Sequence, residues 1–214
     1  MATKKDMIEH QLKGRGISDP DVLRAMEEVD RSLFVPEDKQ GKAYEDRPLP
    51  IGKDQTISQP YIVAYMAEQL QLKKDEKVLE VGTGCGYNAA VISRLANEIY
   101  SVEIIEWLAA LAKQNLAKTD YQNITTKHGD GYSGWAEHSP FDAIILTAAP
   151  PAIPKPLKDQ LKKGGRLLAP VGRLEQKLVI LHKTGDDTFE EKTLLPVRFV
   201  PMTGRADKGG AYGK

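Results

Sequence analysis

The chain has 214 residues and a mass of 23.7 kDa, which predicts one domain with additional segments, because domains average about 150 residues. Its 30 Lys and Arg residues equal its 30 Asp and Glu residues, a balance that argues against a chain built to coat nucleic acid or an anionic membrane. Its single cysteine excludes an internal disulfide, and no apolar run is long enough for a signal segment or a membrane span. These features predict a cytoplasmic protein that binds neither nucleic acid nor membrane. We also expect a monomer, although no feature of the sequence specifies the oligomeric state.

The first 60 residues predict helical and extended structure. Pro20 suits the first turn of a helix, and residues 44–52 are rich in Pro and Gly. Pro60 opens a second amphipathic run, with Ser58 in the turn ahead of it. The apolar residues that recur at helical spacing after Pro20 are Val22, Leu23, Met26 and Val29. Residues 1–60 are therefore predicted to form an N-terminal helical and extended segment that packs on the rest.

From residue 76, strand-like and helix-like segments alternate. The strand-like segments are residues 77–81, 99–103, 123–127, 142–147, 166–171, 177–183 and 188–200. Helix-length crossovers between the earlier strands predict a parallel, doubly wound sheet, and the last two strands predict an antiparallel hairpin. The predicted fold class is α/β, with a mostly parallel sheet in a core of residues 61–204. Residues 205–214, rich in Gly and Lys, are predicted to form a flexible tail.

A glycine-rich loop follows the first predicted strand, where ligands of such sheets bind. Gly82, Gly84 and Gly86 carry no Cβ atom, so a ligand can approach the backbone, and the next helix offers free N–H groups. A dinucleotide fingerprint needs glycine at position 87, where the chain has Tyr87. Glu80, just ahead of the loop, repels a pyrophosphate but attracts an ammonium group. The loop therefore favours S-adenosylmethionine over NAD.

Acidic residues also end the next two strands. Glu103 ends the second strand, where a carboxylate can accept hydrogen bonds from both hydroxyls of a ribose. The sequence is equally consistent with a solvated carboxylate at a strand end. Asp130, between Gly129 and Gly131, is read either as an acceptor for an adenine amine or as a turn residue. Three acidic residues at three successive strand ends favour the ligand-binding interpretation.

Other catalytic patterns are absent from the sequence. The four histidines show no metal-ligand spacing, and no Gly-x-Ser-x-Gly nucleophile elbow is present. Cys85 is predicted to be a small loop residue. No metal site is predicted.

Taken along its length, the chain resembles protein-L-isoaspartate O-methyltransferases from about residue 6 to residue 204. The matching segments are residues 48–52, 55–60, 79–86, 129–131, 164–167, 170–172 and 199–203. The glycine loop alone indicates only a methyltransferase, whereas Thr56-Ile57-Ser58 is the specific signal.

The resemblance implies a Rossmann-like class I methyltransferase fold. It also implies methyl transfer from S-adenosylmethionine, leaving S-adenosylhomocysteine, to the free α-carboxylate of L-isoaspartyl residues in damaged proteins, whose repair then proceeds through a succinimide. Residues 1–60 are implied to cover the active site. The residues implied to hold the cofactor are Gln55, Thr56, Ile57, Ser58, Glu80, Gly82, Thr83, Gly84, Glu103, Asp130, Gly131 and Thr203. Ser58 is implied to be catalytic and, with Val200 and Pro201, to bind the substrate.

The chemistry of the acceptor agrees with the missing catalytic base. An α-carboxylate, with a pKa of about 3.5, is already ionised at neutral pH. Ser58 then orients the acceptor, unless it is only a turn hydroxyl. The alternatives are a methyltransferase acting on a small molecule, an NAD-dependent dehydrogenase and a non-catalytic cofactor-binding module. A small-molecule methyltransferase needs a base or metal site, which the sequence does not offer. Tyr87 at the third glycine position argues against a dehydrogenase, and the intact Thr56-Ile57-Ser58 segment argues against a non-catalytic module.

Overall fold

The computed structural model describes residues 2–207. Its N-terminal part consists of short helices and a two-stranded ribbon that precede the main sheet. Their bounds are α1 (Lys4–Asp6), a π-helical turn (Met7–Leu12), α2 (Pro20–Glu28), β1 (Leu49–Gly52), β2 (Gln55–Ile57) and α3 (Pro60–Leu70). Helix α2 begins after Asp19, whose carboxylate accepts the backbone N–H groups of Asp21 and Val22. The ribbon of β1 and β2 is antiparallel and was predicted only as an extended segment.

The main sheet has seven strands. They are β3 (Lys77–Val81), β4 (Glu98–Glu103), β5 (Ile124–His128), β6 (Phe141–Leu146), β7 (Leu161–Val171), β8 (Gln176–Lys183) and β9 (Phe189–Val197). The helices between them are α4 (Tyr87–Ser93), α5 (Glu106–Leu116) and α6 (Lys155–Asp159). The strand order is β5-β4-β3-β6-β7-β8-β9. Strands β3 to β7 pair in parallel, and β8 pairs antiparallel with both β7 and β9.

The predicted fold class is confirmed, including the antiparallel C-terminal hairpin. The apolar sequence of β6 fits its position, because it lies between two parallel partners and is covered on both faces. Strand β7 begins five residues before its predicted start, at Leu161. Strand β9 ends at Val197 rather than at residue 200, because the chain then leaves β8 and pairs with Ala149.

The N-terminal part packs on the core through one hydrophobic cluster. This cluster joins residues between Met7 and Ile57 to buried residues of α3, α4 and α5. At its centre, the ring of Phe34 meets that of Tyr87 edge to face at 5.6 Å, and the guanidinium of the fully buried Arg31 lies 4.8 Å above the same Tyr87 ring. No helix within residues 2–207 combines the length and the apolar character needed to cross a membrane.

The predicted flexible tail needs a correction at its start. Residues Gly204–Ala206 form a helical turn, and Ala206 is buried. The backbone N–H of Arg205 donates to Asp130 Oδ2 at 3.0 Å, and its Nη1 donates to Ser133 Oγ at 3.1 Å. Composition gave no sign of these long-range bonds. Residues 208–214 lie outside the described residues.

Candidate active site

A cavity opens at the carboxyl ends of β3, β4 and β6. We call it the inner cavity. Strand β3 lies between β4 and β6, so the cavity is at the point where the strand order reverses. The predicted residues that line it are Gln55, Thr56, Ile57, Ser58, Gly82, Thr83, Gly84, Glu103, Asp130, Gly131, Val200, Pro201 and Thr203.

The glycine loop is held open by its contacts with neighbouring strands. Gly82 has a φ of +100°, and its N–H donates to the Val102 carbonyl at 2.8 Å. A Cβ at this position would lie 2.4 Å from Thr147 Oγ1, the hydroxyl that donates to the Gly82 carbonyl at 2.5 Å. Only glycine therefore fits here, and the loop backbone faces the cavity directly.

Glu103 joins the end of β4 to the glycine loop. Its side chain is almost fully buried, and Oε2 accepts the Gly84 N–H at 2.8 Å while Oε1 accepts the Ile105 N–H at 3.0 Å. Hydrogen bonds to an ionised carboxylate are the stronger kind, so this residue fixes the loop as well as giving the cavity a negative group. The solvated strand end that the sequence left open is therefore excluded.

The placement of Glu80 corrects the sequence-based electrostatic argument. Its side chain is fully buried and does not line the inner cavity. Ser101 Oγ donates to Glu80 Oε2, and Asn88 Nδ2 donates to Oε1 at 2.8 Å. Burial raises the pKa of Glu80 to about 7, with its hydrogen bonds acting against that rise and the charge of Glu103 adding to it. Glu80 thus lies behind the loop and supports β4 and α4, because side chains alternate along β3 and Val81 faces the cavity instead.

Asp130 lines the cavity and also stabilises a turn. Its Oδ1 accepts the Tyr132 N–H at 2.9 Å, and its Oδ2 accepts the Arg205 N–H. Beside it, a Cβ on Gly131 would lie 2.4 Å from Val81 Cγ1, so only glycine leaves the cavity floor free here. The turn role and the cavity position, left as alternatives by the sequence, are both observed.

Ser58 lies where the inner cavity meets a second depression. We call this depression the outer groove; Thr56, Ser58, Thr147 and Val200 line both. Helix α3 begins after Gln59 and has no side-chain cap, so within the described residues Ser58 does not act as its capping hydroxyl. The half-buried Ser58 is therefore placed to face both a ligand in the cavity and one in the groove.

The C-terminal wall of both spaces is the segment after β9. Ala149 N–H donates to the Val200 carbonyl at 2.9 Å, and Met202 N–H donates to the Ala149 carbonyl at 2.8 Å. This parallel bridge brings Val200, Pro201 and Thr203 against the carboxyl end of β6.

Several lining residues were not among the predicted site residues. They are Val63, Val81, Tyr87, Asn88, Val102, Ile104, Ile105, Leu108, Thr147, Ala148 and Met202. Thr147 and Ala148 lie at a strand end, a position that the sequence did indicate, whereas Leu108 and Met202 carry no local signal. Cys85 also lines the cavity, and burial raises the pKa of its thiol to about 11, so it stays protonated at neutral pH.

Comparison with known proteins agrees with this geometry. The family described as Protein-L-isoaspartate(D-aspartate) O-methyltransferase (PCMT) matches residues 2–207. The chain belongs to this family. A protein-L-isoaspartate O-methyltransferase of Picosynechococcus sp. is 50% identical over 206 residues, covering 96% of this chain and 92% of the relative. Protein-L-isoaspartate O-methyltransferase 2 of Pelobacter propionicus is 52% identical over 200 residues, covering 92% and 89%.

Solved structures of protein-L-isoaspartate O-methyltransferases share the fold. One has a TM-score of 0.88 at 32% identity, covering 95% of this chain and 67% of its own. Another, a proposed family member from Plasmodium falciparum in complex with S-adenosyl-L-homocysteine, has a TM-score of 0.83 at 26% identity, covering 95% and 99%. The family resemblance seen in the sequence is confirmed.

Proposed function

We propose that this chain transfers a methyl group from S-adenosylmethionine to the free α-carboxylate of L-isoaspartyl residues in damaged proteins. The observation that carries this proposal is the position of Ser58, which lines both the inner cavity beside the glycine loop and the outer groove. A polypeptide in the groove reaches Ser58 without entering the inner cavity. The alternative, a small-molecule acceptor, is not favoured, because relatives about 50% identical over nearly the whole chain are protein-L-isoaspartate O-methyltransferases.

The inner cavity has the features that S-adenosylmethionine needs. When bound, this cofactor supplies a methyl group carried on a positively charged sulfur. The bare backbone at Gly82 and Gly131 admits a ligand to the floor of the cavity, and Glu103 and Asp130 give it negative charge. We assign cofactor binding to eleven of the lining residues predicted from the sequence: Gln55, Thr56, Ile57, Ser58, Gly82, Thr83, Gly84, Glu103, Asp130, Gly131 and Thr203. Val200 and Pro201 are assigned to the substrate, and Glu80 supports the loop from behind.

Ser58 is proposed to orient the acceptor. Its hydroxyl donates to one oxygen of the substrate carboxylate and leaves the other oxygen directed into the inner cavity. Because that carboxylate is already ionised at neutral pH, no side chain has to remove a proton. The contribution of the protein is placement, an effect that is worth several kcal/mol.

The N-terminal segment is proposed to exclude water from the reacting groups. Residues 55–58 form one wall of the inner cavity, and the β1–β2 ribbon that carries them packs on α5. A Cβ on Gly52 of that ribbon would lie 3.0 Å from Trp107 Cζ3, so the ribbon touches the indole ring. Residues 1–60 therefore act as a cover over the core of residues 61–204.

The methyl ester formed on the substrate is chemically activated. The adjacent backbone nitrogen attacks it, methanol leaves and a succinimide closes, whose hydrolysis restores part of the normal aspartate. The enzyme thus begins the repair without completing it.

Paired peptides test the proposed function. The protein is incubated with S-adenosylmethionine labelled in its methyl group and with two peptides that differ only in an isoaspartyl or a normal aspartyl residue. We expect base-labile label in the isoaspartyl peptide alone. Equal labelling of both peptides, or of neither, would refute the proposal.

A further inference from the structure

The outer groove differs from the inner cavity in its charge. The inner cavity is lined by Glu103 and Asp130 and by no Lys or Arg, whereas the outer groove is lined by Arg15 and Arg198 and by no Asp or Glu. The two spaces meet at Ser58, so the boundary between a negative and a positive surface falls at the proposed acceptor position. A cationic cofactor and an anionic acceptor are thereby attracted to opposite sides of Ser58.

Of the two arginines in the outer groove, Arg198 is the one whose charge no acidic side chain of the described residues offsets. It follows β9 directly, its residue is exposed, and among residues 2–207 it forms no ion pair. It lies two positions before Val200, which lines both spaces. An exposed cation this close to the acceptor position meets the side chains that flank the reacting residue.

Arg15 is held at the groove by its neighbours. Its guanidinium carbon lies 3.6 Å from the centre of the Tyr61 ring, and its Nη1 pairs with Asp46 Oδ2 at 2.7 Å. Asp46 is outside the lining of the groove, so it orients Arg15 from behind and reduces its charge in part. The remaining lining is largely apolar, with Pro48, Ile62, Leu195 and Val197.

Resting on the proposed function, we infer that the outer groove selects isoaspartyl polypeptides whose flanking side chains are acidic, and that Arg198 is the principal specificity-determining residue. The apolar lining accommodates an extended backbone of any sequence. The groove arginines then discriminate by the charge of the neighbouring residues, attracting Asp and Glu and repelling Lys and Arg. Arg15 adds a smaller contribution because Asp46 already pairs with it.

Three isoaspartyl peptides of equal length test this inference. They carry Glu, Gln or Lys on both sides of the isoaspartyl residue, and kcat/KM is measured for each with the full chain at low and high salt. For the wild-type chain we expect the Glu peptide to exceed the Lys peptide about fivefold, as an exposed ion pair allows, and the ratio to fall at 0.5 M salt. The ratio is taken within each variant, so a general loss of activity does not change it.

Variants then assign the selectivity to its residue. Arg198→Gln should lower the Glu-to-Lys ratio about two- to fivefold, and Arg198→Glu should invert it. Arg15→Gln should lower it less. Arg24→Gln is the matched control, because Arg24 is exposed on α2 and lines neither space. The substitution changes the net charge by the same amount as Arg198→Gln.

The outcomes separate this inference from the proposed function. A ratio near one in the wild-type chain, or an unchanged ratio in Arg198→Gln, would overturn the charge selection while leaving isoaspartyl methylation intact. Absence of methylation of all three peptides would overturn the proposed function and this inference with it.

Discussion

Gln176 holds the backbone of Phe199 through both atoms of its side-chain amide. Its Nε2 donates to the Phe199 carbonyl at 3.0 Å, and its Oε1 accepts the Phe199 N–H at 2.6 Å. The amide thus replaces a strand partner where the chain departs from β8, and it sets the direction of the residues that line both spaces. Because Gln176 is buried, water does not substitute for it.

We therefore expect Gln176→Leu to leave the part-buried N–H and carbonyl groups of Phe199 without this partner. The free energy of unfolding should fall by about 1–3 kcal/mol, and KM for an isoaspartyl peptide should rise. Denaturant titration and steady-state kinetics measure the two effects. Lys177→Leu, at the exposed next position of β8, is the control; an equal change in both variants would contradict this role.

Ser58→Ala should separate catalysis from cofactor binding. Loss of one hydrogen bond to a charged acceptor is worth about 1.5–3 kcal/mol, so methylation of an isoaspartyl peptide should slow at least tenfold. Because ten other assigned residues also hold the cofactor, its affinity measured by calorimetry should change much less than the rate. The exposed Ser18 supplies the control Ser18→Ala, and full activity in Ser58→Ala would remove this serine from the mechanism.

Glu103→Gln should weaken cofactor binding. The amide keeps the size of the side chain, but it removes the charge and replaces one of the two acceptors of backbone N–H groups from Gly84 and Ile105. We expect at least a tenfold higher dissociation constant for S-adenosylhomocysteine by calorimetry. Glu106→Gln, exposed in the first turn of α5, should bind normally. Unchanged affinity in Glu103→Gln would reject the assignment.

The buried carboxyl of Glu80 should make stability depend on pH. Its folded-state pKa of about 7 lies above the ordinary value of 4.5, so between these values the folded chain binds more protons than the unfolded chain. The contribution of Glu80 to the free energy of unfolding should therefore be fully present below pH 4.5 and be lost as the pH rises to 7. Glu80→Gln should flatten this slope in denaturant titrations from pH 4.5 to 8, whereas the exposed Glu190→Gln should keep it. The same slope in both variants would show that another group titrates.

Much of the fold could be predicted from local patterns. Each strand of the main sheet was located, although the start of β7 and the end of β9 were misplaced. Aliphatic and β-branched runs separated by helical periodicity need no long-range information to be recognised. Every cavity residue assigned from the sequence lines the cavity except Glu80. The sequence shows where β3 ends, but it does not show which way the Glu80 side chain points. That direction depends on the tertiary contacts of Glu80 with Ser101 and Asn88.

Features that depend on distant contacts could not be predicted. The turn at residues 204–206 is held by Asp130, and the path of residues 198–203 is set by Gln176 and Ala149. The outer groove combines Arg15 with Arg198, which are far apart in the sequence. No window of neighbouring residues contains either relationship.

The inner cavity is lined both by residues 55–58 and by residues 200–203. The proposed cofactor site is therefore complete only after residues 200–203 have emerged from the ribosome. A chain that terminates before residue 200 is expected to lack the stabilisation against proteolysis that a bound methyl donor gives.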